Sequence, residues 1–171
     1  MSSSQDRQSE ITDSLADFIL AEGLAAASLR PLAKAAGLSD RMLLYHFKDK
    51  SEVITAALAR IAERVNIMLE TSAPPEPLKS DALRAFLWPR LSAEAMWPYM
   101  QVWLEMASLA ARGDIVCRTV GEAIGRGFVD WVINHIISDQ PQIDAAKVLT
   151  SIEGMVLLKS LGLGDVSENA I

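Results

Sequence analysis

Apolar residues recur at helical spacing along nearly the whole chain, and no segment alternates with the period of two that a half-buried strand needs. Ile11, Leu15, Phe18 and Ile19 form one stripe, predicting a helix from about Glu10 to Glu22 that stops at Gly23. Two short helices follow across residues 28–47. Asp49-Lys50-Ser51-Glu52 opens a fourth helix as a capping box, with Asp at the N-cap and Glu at N3. That helix carries Val53, Ala57, Leu58, Ile61, Val65, Met68 and Leu69 on one face until Pro74, Pro75 and Pro77 end it, which makes Thr71–Lys79 the clearest boundary in the chain. Beyond it, helices are expected over about Ser80–Trp88, Ser92–Met96, Pro98–Arg112, Ile115–Ile137 and Ile143–Leu161, with Pro89 and Pro98 breaking or kinking the region between Trp88 and Tyr99. The fold class is all-α, without internal repeats or low-complexity segments.

The stretch Ser28–Lys50 has the most specific pattern. Ser28 suits an N-cap, and Pro31 falls in the first helical turn, where a missing N–H costs nothing. Leu32, Ala35 and Ala36 would keep the inner face small enough for a second helix to cross closely. Gly37 provides the positive φ that ends the helix. Ser39 caps the next one, which buries Leu43 and Phe47 and turns Asp40, Arg41, Met42, Tyr45 and His46 outward. Helix, glycine turn and short exposed helix make a helix-turn-helix, whose second helix enters the DNA major groove.

The run Leu29-Arg-Pro-Leu-Ala-Lys-Ala-Ala-Gly-Leu-Ser39, followed by Leu44-Tyr-His-Phe-Lys-Asp-Lys50, resembles the DNA-binding domain of the tetracycline-repressor (TetR) family. The resemblance reaches back to Ile11 and covers about the first 65 residues. It implies a three-helix DNA-binding domain over residues 1–50, a connecting helix over about 50–70, and an effector-binding and dimerisation domain over 51–171. The DNA-facing residues it implies are Ser28, Arg30, Ser39, Asp40, Arg41, Met42, Leu44, Tyr45, His46 and Lys50. Arg41 and Asp40 would read bases, Arg favouring guanine O6/N7 and Asp accepting from cytosine N4. Arg30 would reach a base edge or a phosphate, while Tyr45, His46 and Lys50 would grip the backbone. Met42 stands where a phosphate-binding Thr is common and Leu44 where an aromatic residue is usual. His46 also has a plain reading as a packing histidine, and Asp40 and Arg41 one as a solvated pair.

The net charge of −6 argues against nucleic acid only if charge is evenly spread. From Ser28 to Lys50 the basic Arg30, Lys34, Arg41, Lys48 and Lys50 outnumber Asp40 and Asp49 by three, which leaves −9 for the rest of the chain. Such asymmetry orients the basic end toward a duplex. Lys50 adds a local argument: a cation at the first turn of a helix faces the positive end of its dipole, and a docked phosphate reverses that cost.

All four Trp residues, Trp88, Trp97, Trp103 and Trp131, lie in the second half. Together with Met68, Met96, Tyr99, Met100 and Met106 they are candidates for a small-molecule pocket, or equally for ordinary core. Glu105 would either face solvent or select a cationic or hydrogen-bonding ligand. The family resemblance implies that the last two long helices pair with those of a second subunit. Gly121, Gly125, Phe128, Val132, Ile136, Ile152, Met155 and Leu158 are the interface candidates, and Gly154 likewise permits close approach, although the same small residues could pack within one chain.

Nothing points to catalysis. The two histidines are far apart, lone Cys117 has no histidine near it, and no zinc-ligand spacing, P-loop, GxGxxG or GxSxG occurs. No cofactor or metal is expected, and neither a secretory signal nor a membrane span. The expectation is a cytoplasmic homodimeric regulator, a repressor that binds a near-palindromic double-stranded DNA operator and is released by a mainly apolar effector. The alternative is a DNA-binding architectural protein without an effector, which leaves the large Trp- and Met-rich second half hard to explain.

Overall fold

The computed structural model describes residues 4–169. Among these it has nine α-helices and one 3-10 turn: α1 (Ser4–Glu22), the turn Leu24–Ala26, α2 (Leu29–Ala35), α3 (Asp40–His46), α4 (Lys50–Thr71), α5 (Ser80–Leu91), α6 (Trp97–Ala111), α7 (Ile115–His135), α8 (Pro141–Ser160) and α9 (Gly164–Glu168). The chain forms two compact units, Met1–Met68 with Glu105–Gly121, and Leu69–Leu104 with Glu122–Ile171. The end of α6 from Glu105 and the start of α7 as far as Gly121 thus belong to the unit that holds the helix-turn-helix.

In the first unit α1 packs on α2 and α2 on α3, around fully buried Leu15, Ile19, Leu32, Leu43, Val53 and Leu58. Burying side chains of this size contributes about 1.5–3 kcal/mol each. Polar contacts fix α4 against α1: Arg64 binds Asp17 at 2.6 Å and Asp13 at 2.7 Å, and Arg60 donates to the Ser9 hydroxyl at 2.7 Å. Burial disfavours the charge of Arg64, but hydrogen bonds to Asp17 and Asp13 outweigh it and raise the guanidinium above its ordinary value. In the second unit α8 is the central support, with α5 and α9 packed on it. A short parallel bridge ties Leu78 to Ile136, the Leu78 N–H donating to His135 O at 2.9 Å and the Ile137 N–H to Leu78 O at 2.8 Å.

Several helix boundaries differ from those expected. Proline does not break α5: Pro89 lies in the last turn, where its missing N–H removes one bond only, and Arg90 donates to the Phe86 carbonyl at 2.6 Å. Ser92–Met96 is a turn rather than a helix, and Pro98 falls at the start of α6, which tolerates it. Helix α8 begins at Pro141, two residues before the expected start, again with proline in the first turn. Leu24–Ala26 and α9 were too short for a periodic signal.

Candidate nucleic-acid interface

The helix-turn-helix is built much as its sequence implies. Gly37 turns the chain at φ 67°, a left-handed value that favours glycine. The Ser39 hydroxyl accepts the N–H of Met42 at 3.2 Å and so caps α3. Ser28 occupies the N-cap of α2 without making a side-chain cap bond, and it is exposed. On the inner side of α2, Leu32 and Ala33 are buried, whereas Ala35 is exposed.

Leu43 and Phe47 root α3 in the core. With that face anchored, Asp40, Arg41, Met42, Leu44 and Tyr45 are directed outward, Tyr45 being 80% exposed. His46 is half-buried, its ring edge-on to Tyr45 with centroids 5.6 Å apart. Arg30 is exposed in the first turn of α2, and Lys50 is exposed at the start of α4. Among the described residues Arg30, Arg41 and Lys50 make no ion pair, so each cation is available to a phosphate or base edge. The start of α4 is held by Asp49, which accepts the Glu52 N–H at 3.0 Å, while the Glu52 carboxylate reaches back to the N–H of Lys48 rather than that of Asp49. This reciprocal pair sets the position of Lys50.

The aromatic and methionine candidates separate into distinct settings. Met68, Glu105 and Met106 belong to the first unit and the other seven to the second. Trp88, Met96, Met106 and Trp131 are buried, whereas Met68, Trp97, Tyr99, Met100 and Trp103 are half-buried. Within the second unit the Lys159 ammonium lies 4.8 Å from the Trp97 ring and 6.0 Å from that of Trp88, and it donates to the Ser92 carbonyl. Trp103 donates through Nε1 to Glu153 at 2.6 Å. Burial pushes the Glu153 carboxyl above its ordinary value, partly offset by that bond. Trp131 stacks on His135 at 4.1 Å and on Phe128 at 6.4 Å, and its buried Nε1–H has no acceptor among the described residues. Glu105 is in neither expected role: it is half-buried and bonds to the backbone of Leu24. Glu153 escaped the sequence reading, although a single acid among Ile152, Met155, Val156 and Leu158 was the available signal.

Of the interface candidates, Val132, Ile136, Ile152 and Met155 are buried within the single chain. Gly121, Gly125, Phe128 and Leu158 are half-buried. A Cβ added at Gly125 or Gly154 would meet nothing within 4 Å, so neither glycine serves close packing inside the chain. The large apolar residues exposed on α8, on α9 and on the link between them are Ile143, Leu157, Leu161, Leu163 and Val166. Among the described residues no helix is long and apolar enough to cross a membrane, and no group of three or more potential metal ligands occurs.

Residues 11–57, which span α1 to the first two turns of α4, match the model of the bacterial regulatory proteins of the tetR family. No curated protein matches the chain significantly. Among solved structures, a transcriptional regulator from Rhodococcus sp. Rha1 is 23% identical with a TM-score of 0.73, over 95% of this chain and 90% of that one. A TetR-family transcriptional regulator from Rhodococcus sp. is 21% identical with a TM-score of 0.71, over 93% and 89%. The multidrug binding protein EbrR, solved with proflavin, is 23% identical with a TM-score of 0.65, over 96% and 99%. At these identities the likeness is one of fold.

Proposed function

We propose, from the match of residues 11–57 to the tetR family of bacterial regulatory proteins, that this protein is a ligand-responsive, dimeric, DNA-binding transcriptional regulator of the cytoplasm, acting as a repressor. The observation that carries the reading is the outer face of α3: Asp40, Arg41 and Tyr45 exposed on a helix rooted by Leu43 and Phe47, with Arg30 and Lys50 exposed at the starts of α2 and α4 and without an ion pair among the described residues. Arg41 and Asp40 read bases, and Tyr45, His46 and Lys50 hold phosphates. Two copies joined through the apolar surface of α8 and α9 would place two such helices in successive major grooves, roughly 34 Å apart, on a near-palindromic operator. Selection of genomic fragments by the purified protein, followed by footprinting, tests this. A near-palindrome protected by two protomers is expected, and binding that rises with fragment length without sequence preference would overturn it.

The effector half of the proposal rests on the indole-rich second unit. The Trp131 N–H is a buried donor without an acceptor among the described residues, an arrangement that costs about 1–3 kcal/mol until something accepts it. An apolar or aromatic compound carrying an acceptor would relieve that cost. The likeness in fold to EbrR, a multidrug binding protein solved with proflavin, supports an aromatic occupant. Binding would change the spacing of the two DNA-reading helices, and since both must fit one duplex, a small rotation of each is enough to release it. Because every Trp lies between residues 88 and 131, tryptophan emission reports on this half of the chain. An effector should alter that emission at the concentrations that release DNA. If no compound of a broad hydrophobic set moves either signal, the effector reading fails and the DNA-binding reading stands.

A further inference from the structure

A cleft of about 310 Å³ lies in the first unit, between the 3-10 turn, the first turns of α4, and the corner joining α6 to α7. Its volume is at the small end of the range for ligand sites, roughly 300–1,000 Å³. Leu24, Ile54, Leu109, Val116 and Cys117 give it an apolar lining. Two charged side chains join them. One, Asp114, is already engaged, its carboxylate accepting the N–H of Cys117 at 2.8 Å at the start of α7. The other is Lys50, exposed and without an ion pair among the described residues. The Cys117 thiol is buried, and that burial, with Asp114 beside it, pushes its pKa up to about 11. It therefore serves as apolar wall rather than as a nucleophile.

An apolar cleft with one free ammonium suits an amphipathic anion whose head turns to Lys50 and away from the Asp114 carboxylate. We propose that this cleft is a second ligand site, separate from the indole-rich cluster, for a small monocarboxylate whose apolar body fills it and whose head pairs with Lys50. The consequence follows from chemistry at one atom. If Lys50 holds a DNA phosphate, as in the reading above on which this part rests, carboxylate and phosphate compete for one ammonium. Such a ligand weakens DNA binding without any rotation of the two protomers. By linkage, duplex weakens the ligand by the same factor.

Decanoate is the probe, titrated into the full chain by calorimetry with and without a duplex of arbitrary sequence. Saturable binding of one decanoate per chain is expected, weaker by about tenfold or more for decanol, which lacks the charge. Ala25, an exposed residue of the cleft lining, is the place to close it. Ala25→Phe should cut decanoate affinity about tenfold or more and leave duplex binding alone. Ala25→Leu, smaller than Phe and uncharged, should do the same if the larger side chain disturbs folding. Absence of saturable binding overturns the site, as does binding unchanged in both variants, which places decanoate elsewhere. Decanoate binding that is indifferent to duplex overturns the shared ammonium. Duplex binding without decanoate is read separately, so failure of the regulator reading is distinguishable from failure of the cleft.

Discussion

The carboxylate of Glu105, in α6, accepts the backbone N–H of Leu24 at 2.7 Å across 81 positions of sequence. Gly23, just before, has φ 81° and ψ 167°, a conformation open essentially to glycine alone. A Cβ there would lie 2.7 Å from the second oxygen of the same carboxylate. The turn that leads from α1 to α2 is thus shaped by a side chain from the middle of the chain. Gly23→Ala should cost about 1–3 kcal/mol from its backbone conformation. Glu105→Ala should cost about 1–3 kcal/mol by leaving the Leu24 N–H without an acceptor, and Glu105→Gln should recover part of it. Since the methyl added by Gly23→Ala would already displace the carboxylate, urea unfolding of the double variant should show a loss smaller than the two added together. Strict additivity would mean that the contact does not hold the turn.

Arg41 and Lys50 should fail in different ways. Arg41→Ala is expected to lose about 1–3 kcal/mol of operator affinity and to relax base preference at one position in each half-site. Lys50→Ala should weaken all duplexes alike and reduce the salt slope by about one per protomer. Uniform loss in both, measured over a panel of operator variants and salt concentrations, would remove Arg41 from base reading.

Assembly can be tested without damaging the core. Gly154 is exposed, has open space where a side chain would begin, and lies one turn of α8 before Leu157 and two before Leu161. Gly154→Arg should therefore fold normally and sediment as a monomer, because its guanidinium would have to be buried against the partner. A wild-type protein that sediments as a monomer at micromolar concentration would remove the two-headed operator.

Glu153 predicts a pH dependence with an unusual sign. Its folded-state carboxyl titrates above the ordinary carboxylate value of 4.5, chiefly through burial. The folded state therefore binds the proton more tightly than the unfolded chain, and stability from this group grows as pH falls through the raised value, reaching its full extent below 4.5. Glu153→Gln keeps an acceptor for the Trp103 N–H and removes the charge. It should raise the melting temperature at pH 7, with the advantage over wild type vanishing below about pH 4.5, the unfolded-state end of the window. An equal advantage at pH 4 and pH 7 would refute the assignment.

Local chemistry carried most of the stretch from Ser28 to Lys50, though Ser28 makes no side-chain cap bond and Ala35, expected on the inner face, is exposed. The Gly37 turn, the Ser39 cap, the inward Leu43 and Phe47 and the Asp49–Glu52 pairing are contacts within a few residues, so sequence spacing alone determines which side of α3 faces outward. The same holds for the helical period of α1, α4, α7 and α8, and for the absence of strand alternation. Long-range packing decided the rest. Spacing marks Val132, Ile152 and Met155 as one-sided apolar positions, but whether that side meets the same chain or another is a matter of which helices pack together, and here their own chain covers them. Glu105 reads in sequence as solvated or ligand-facing and not as structural, because its partner is a backbone N–H 81 positions away that carries no side-chain signal. The cleft beside Lys50 is likewise assembled from residues 24 to 117, and only the return of α6 and α7 to the first unit brings them together.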